Sequence, residues 1–214
     1  MSDDNEPSQP TPLNKPRCVD VRLIETSNDL EAATEALLGG TGPLAIDAER
    51  ASGFKYSQRA YLIQLHRTNA PILLIDPIAV NSDDPEAFTR LSNAIAGIPW
   101  ILHAATQDIP CLAELGLRPS KIIDTELAGR LLGLDRVGLG SMVQELLSLA
   151  LAKEHSAADW STRPLPETWL TYAALDVDVL PELADRLLEE LAAANKLDWA
   201  EQEFTHLLSF APKP

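Results

Sequence analysis

The chain has 214 residues, 45% of them hydrophobic, enough for one substantial folded domain. Its 32 acidic against 17 basic side chains give a formal net charge of −15, so it lacks the general basic surplus of a polyanion-binding surface. No apolar run approaches the roughly 18 residues of a membrane span, no signal peptide opens the chain, and the two cysteines, Cys18 and Cys111, form neither a metal spacing nor a disulfide framework. A soluble, cytoplasmic protein is expected.

Residues 1–17, "MSDDNEPSQPTPLNKPR", are rich in Pro, Ser, Asn and Asp and nearly free of apolar side chains, which predicts a disordered leader. "PLAIDAER" and "AYLIQLHR" then predict strands, and "PILLIDP" is a continuous apolar run stopped by Pro77, as in a buried strand. Short connections make an antiparallel meander the simplest arrangement of these three. "DDPEAFTRLSNAIAG" has acidic capping signals, a helical apolar period and a closing glycine. "PWILHAA" predicts a fourth strand, "TQDIPCLAELG" a helix, "KIIDT" a short fifth strand, and helices follow from "ELAGRLLG". Gly138 and Gly140 interrupt that stretch before "SMVQELLSLAL". From Pro166 onward the pattern is helical, with Pro181 marking a new helix start.

Several acids do not fit this pattern of elements. Asp47 and Glu49 lie two apart on the first predicted strand, so both carboxylates share one face while Leu44, Ile46 and Ala48 take the other. Adjacent carboxylates repel unless a cation lies between them, and a divalent metal supplies one. Such a pair on its own also suits a hydrated strand face. Asp108 follows the strand "WILHAA", where a first-turn acid is equally favoured by the helix dipole. Asp76 and Asp124 read as turn or cap residues. Tyr172 and Asp176 in "YAALD" are four apart, hence on one helical face, where a core aromatic and a surface acid are the ordinary alternatives.

The order of the set decides between these readings. An acid pair on an early strand, one acid after a later strand, then Tyr and Asp one turn apart near the end resemble the DEDD superfamily of 3′-to-5′ exonucleases in its tyrosine subclass. "HAATQDIPCLAELG" is similar to the second exonuclease motif of ribonuclease D, and "IIDTELAGRLLG" to the segment after it. "SMVQELLSLALAKEHSAADWSTRPLPETWLTYAALDV" is similar to the stretch leading into the third motif. The resemblance covers roughly residues 20 to 205.

It implies an α/β, RNase H-like fold with a mixed five-stranded sheet flanked by helices, formed by an exonuclease domain over residues 18–210. It implies two divalent cations, Mg²⁺ or Mn²⁺, on Asp47, Glu49, Asp108 and Asp176, the hard oxygen donors such ions prefer. Tyr172 would join these four as a catalytic residue by orienting the attacking water and helping to deprotonate it. The implied reaction removes nucleoside 5′-monophosphates from a free RNA 3′ end, in trimming tRNA and other stable RNA precursors, and no stable protein partner is implied. Single-stranded DNA as substrate, a non-catalytic nucleic-acid-binding scaffold and a small phosphohydrolase are the alternatives. His103 matches a ribonuclease D histidine and is a candidate substrate contact or a structural group. Trp160 and Arg163 in "DWSTRPL" are candidates for base stacking and phosphate binding, or for loop packing. Arg50, Lys55 and Arg59 form the densest basic patch. Ribonuclease D proteins continue into small helical domains that help bind RNA, so the end at residues 211–214 implies either truncation before such a domain or a stand-alone catalytic domain.

Overall fold

The computed structural model describes residues 9–152 and 158–210. The first part of the expected leader (1–8), the "KEHSA" of the third-motif approach and the expected C-terminal end (211–214) lie outside the described residues. The strands and helices run in the order β1 (Thr11–Leu13), β2 (Val21–Ile24), α1 (Ser27–Leu38), β3 (Thr41–Arg50), β4 (Ala60–Thr68), β5 (Ile72–Ile75), α2 (Pro77–Asp83) and α3 (Ala87–Ile95). Then come β6 (Trp100–Leu102), α4 (Ile109–Glu114), β7 (Ile122–Asp124), α5 (Thr125–Leu132), α6 (Leu139–Leu147), β8 (Leu149–Leu151), α7 (Glu167–Asp178), α8 (Leu180–Ala193) and α9 (Leu197–Leu207).

The main sheet has the order β2-β5-β4-β3-β6-β7. The meander β3-β4-β5 is antiparallel, and β6 and β7 extend it in parallel from β3. All five strands expected from the sequence are present. A sixth, β2, joins the edge parallel to β5; three of its four residues "VRLI" are apolar, but so short a run with no clear period carries no strand signal of its own.

Alternation along β3 divides the core in two. Leu44, Ile46 and Ala48 pack with Ile63, Leu65, Leu73, Ile75 and Trp100 on one face of the sheet, where α1 and α3 lie against each other. Ala45 points to the opposite face with Leu62, Ile72, Leu74 and Ile101, and there α7 and α8 bring Ala173, Ala174, Val177, Leu183 and Leu187. Asp47 and Glu49 share the parity of Ala45. They are therefore directed to the face that α7 covers, near the end of the central strand.

Residues 9–17 of the expected leader lie among the described residues, and part of that segment is tied to the fold. Thr11–Leu13 pairs in parallel with β8, and the buried carboxylate of Asp178 accepts from the backbone N–H groups of Arg17 and Cys18 at 3.0 and 3.1 Å and from Arg17 Nε at 3.1 Å. Polar composition did not prevent order here, because backbone pairing and a buried acid supply what side-chain burial does not. β8 was also unexpected: Ser148, at φ 56°, ends α6, and "LAL" continues as a strand instead of a helix.

Candidate active site

β3 delivers Asp47 and Glu49, the turn after β6 delivers Asp108, and α7 delivers Tyr172 and Asp176. Ligand oxygens of Asp47, Glu49 and Asp176 lie within 4.8 Å of one another. Asp108 is hydrogen-bonded to Asp47, and Tyr172 to Asp176. The five residues thus form one contact group drawn from three separate parts of the chain. They line an open cavity of about 680 Å³, together with Arg50, His103, Gln107, Arg136, Ser141 and Gln144.

Local structure explains the placement. The β3–β4 register shifts between Glu49 and Arg50, so Glu49 pairs with Leu62 but Arg50 with Ala60. The extra residue is Tyr61 on β4, and such a bulge increases the local twist of the pair where β3 ends at the cavity. Asp108 is carried by a short turn in which Ala104 adopts φ 60°. That turn is held by Asp124, whose carboxylate accepts from Ala104 N at 3.2 Å and Ala105 N at 2.8 Å while capping α5 through Leu127 N at 3.1 Å. On α7 the four-residue spacing of Tyr172 and Asp176 stacks phenol over carboxylate on the side facing β3.

The electrostatics are those of buried acids whose mutual repulsion is only partly offset. Burial, then the neighbouring charges of Asp47, Asp176 and Asp108, hold the Glu49 carboxyl well above the usual range. Burial and then Asp47 do the same to Asp108 and to Asp176, and Asp47 is raised chiefly by burial. Arg50 offsets part of this for Asp47, Glu49 and Asp108. Burial, followed by the charges of Asp176, Glu49 and Asp47, also raises the Tyr172 phenol, which stays protonated. An all-oxygen set of clustered carboxylates, each pushed toward its neutral form, has the donor chemistry that suits a hard divalent cation.

His103 lies on the cavity wall. Its Nδ1 is 2.8 Å from Thr125 Oγ1, and the ring also bonds to the backbone of Val137.

Two sequence-based candidates are corrected. Trp160 is fully buried, with its ring 5.3 Å from that of Trp169, so no face is left for a base. Arg163 is bonded to the carboxylate of Asp76 and donates to the carbonyls of Trp160, Thr162 and Tyr61, each at 2.8 Å. Its guanidinium clamps the 160–163 loop to β4 and to the start of α2. The packing alternative weighed for this loop is the one observed.

Arg136, Ser141 and Gln144 were not foreseen. They come from the α5–α6 connection and from α6; Ser141 and Gln144 lie in the stretch similar to the approach to the third motif, but nothing in their spacing directs them to the acids.

The profile of the family described as 3′-5′ exonuclease matches residues 21–192. Among curated proteins, ribonuclease D of Gluconacetobacter diazotrophicus is 32% identical over 205 residues, covering 90% of this chain and 49% of the relative. Ribonuclease D of Bartonella henselae is 33% identical over 190 residues, 88% of this chain and 46% of the relative. The chain therefore spans about half the length of the curated relatives it matches. Among solved structures, a protein from Bifidobacterium adolescentis superposes with a TM-score of 0.91 at 42% identity, over 96% of this chain and 50% of that one. Escherichia coli RNase D, described as an exoribonuclease involved in structured RNA processing, gives 0.74 at 28% identity over 89% and 50%. With the profile matched across most of its length and the fold shared with RNase D, this chain belongs to the 3′-5′ exonuclease family.

Proposed function

We propose that this protein is a metal-dependent 3′-5′ exoribonuclease that removes nucleoside 5′-monophosphates from RNA with a free 3′ end, including the ends of tRNA and other stable RNA precursors. The observation that carries the proposal is the joining of Asp47, Glu49, Asp108, Asp176 and Tyr172 in one open cavity. In this reading the four carboxylates hold two divalent cations, Mg²⁺ or Mn²⁺. Bound there, such cations neutralise the acids, polarise a phosphodiester and lower the pKa of water.

The chain's own residues do the rest. The Tyr172 phenol, fixed by its bond to Asp176, orients the water that attacks the terminal phosphorus. The bond to the 3′ oxygen of the preceding nucleotide breaks, and that oxygen leaves as the new 3′ hydroxyl. Arg50, on the cavity wall, faces the phosphate, and His103 forms part of the substrate wall. No helix among the described residues is long and apolar enough to cross a membrane, and we place the enzyme in the cytoplasm.

The test is a time course on a 5′-labelled single-stranded RNA and its DNA counterpart, with Mg²⁺, with Mn²⁺ and with chelator, alongside Asp47→Asn. A metal-dependent ladder shortening from the 3′ end, lost in the variant, is expected. Intact RNA with folded wild-type protein under every condition overturns the proposal, and faster loss of the DNA would reassign the substrate.

A further inference from the structure

Gln64 lies in the interior of β4, 0% exposed, and neither Oε1 nor Nε2 of its amide has a hydrogen-bond partner. An unpartnered buried amide is unfavourable, and an apolar side chain of the same length would suit the surroundings better. Those surroundings are apolar: Leu74 is its register partner on β5, Leu62 precedes it on the same face, and α7 packs across β4 with Ala173, Ala174 and Val177 in that core. Across the strand pair on the other side, however, Gln64 stands directly opposite Asp47. Directly opposed residues share a sheet face with Cβ atoms about 4.5–5.5 Å apart, within reach of a long side chain.

A second atom without a partner lies on the same face. His66 Nδ1 is buried and unpartnered, and the ring bonds to the backbone of Pro71, which leaves Nε2 as the donor and Nδ1 as an acceptor. Two acceptors therefore share the sheet face of Gln64, Asp47 directly across the strands and His66 two residues along β4. A carboxylate that ligates a cation needs such a donor to fix its orientation.

We infer that Gln64 is a positioning residue for Asp47: its amide donates to the Asp47 carboxylate when that carboxylate holds a divalent cation, and fixes the direction of the cation-binding oxygen. The inference rests on the metal-centre reading proposed above. It accounts for a buried polar side chain opposite Asp47 in an otherwise apolar core.

The experiment compares wild type, Gln64→Met and Gln64→Leu by two readouts, the melting temperature in chelator and Mn²⁺ binding followed by the paramagnetic resonance signal of free Mn²⁺. The apolar variants are expected to melt in chelator at or above the wild-type temperature and to bind Mn²⁺ about 10-fold more weakly. Two variants of different shape keep one poorly packed side chain from deciding the result. Wild-type Mn²⁺ binding retained in folded Gln64→Met or Gln64→Leu overturns the inference and leaves the metal centre standing. Wild-type protein that binds no Mn²⁺ overturns both.

Discussion

The carboxylate of Asp124 accepts from the backbone N–H of Ala105 at 2.8 Å, so an acid at the end of β7 fixes the turn that leads from β6 to Asp108. The same side chain caps α5, and Ala104 between them is held at φ 60°, a conformation that alanine adopts only when its neighbours impose it. Asp124 therefore acts on the acid cluster without being part of it.

Replacing Asp124 by alanine leaves three backbone N–H groups without this acceptor. A loss of stability of about 2–4 kcal/mol is expected. Activity per folded molecule should also fall, because a loosened turn displaces Asp108. Urea unfolding followed by turnover measured well below the unfolding midpoint checks both parts. Unchanged turnover in a destabilised Asp124→Ala would mean that the turn holds Asp108 without this acid.

Arg163 provides the opposite case, a side chain with structural consequences away from the acids. Arg163→Ala removes the charged partner of the buried Asp76 carboxylate, which keeps its cap bonds from Ile78 and Ala79 N–H, and frees three carbonyls, for an expected cost of about 2–4 kcal/mol. Arg163→Lys should recover only part of that, since one ammonium cannot reproduce the planar fork. The affinity of a catalytically inactive Asp47→Asn background for single-stranded RNA is expected to stay within twofold when Arg163→Lys is added. A tenfold loss of RNA binding in the folded double variant would return Arg163 to the substrate.

The different outcomes for these residues show what the sequence carries. Asp47 and Glu49 were legible because strand alternation assigns a face from spacing alone, and Tyr172 with Asp176 because helical spacing does the same. Joining Asp108 to them needed the ordered resemblance, since spacing places no residue across a fold. Trp160 and Arg163 were ambiguous because aromatic and cationic side chains serve a loop core and a nucleic acid equally well. Only the burial of one and the full set of bonds to the other separate the two uses. β1 and β8 were invisible because each is three residues long and is defined by the other, 136 or more positions away. Gln64 did leave a signal: it is the one amide in "AYLIQLH", on the parity of Leu62.

Tyr172→Phe removes the hydroxyl and its bond to Asp176 while keeping the ring in place. If the phenol orients water, kcat should fall roughly 10²- to 10³-fold with metal binding nearly unchanged. Because burial and the adjacent acids raise the phenol above its ordinary value, it acts in its protonated form. Single-turnover cleavage at saturating metal, set beside Mn²⁺ affinity, checks the split. A variant that loses metal binding as much as kcat would show that Tyr172 serves mainly to hold Asp176.

The metal-free protein should lose stability as pH rises. Glu49, Asp108 and Asp176 are held well above ordinary carboxylate values, and Asp47 above its own, with burial the first cause. The native state then binds more protons than the unfolded chain from the ordinary carboxylate value, about pH 4, upward to the raised native values. Stability in that interval falls with increasing pH. The melting temperature in chelator is therefore expected to be higher at pH 5.5 than at pH 8. Overall negative charge acts in the same direction, so the comparison that isolates the site is Asp108→Asn, which keeps most of the surface charge but removes one of the buried acids. Its melting temperature should change less between the two pH values than that of wild type, and Mg²⁺ should restore wild-type stability at pH 8. Equal slopes for the two proteins in chelator would mean that Asp108 is ionised and accommodated without a cation.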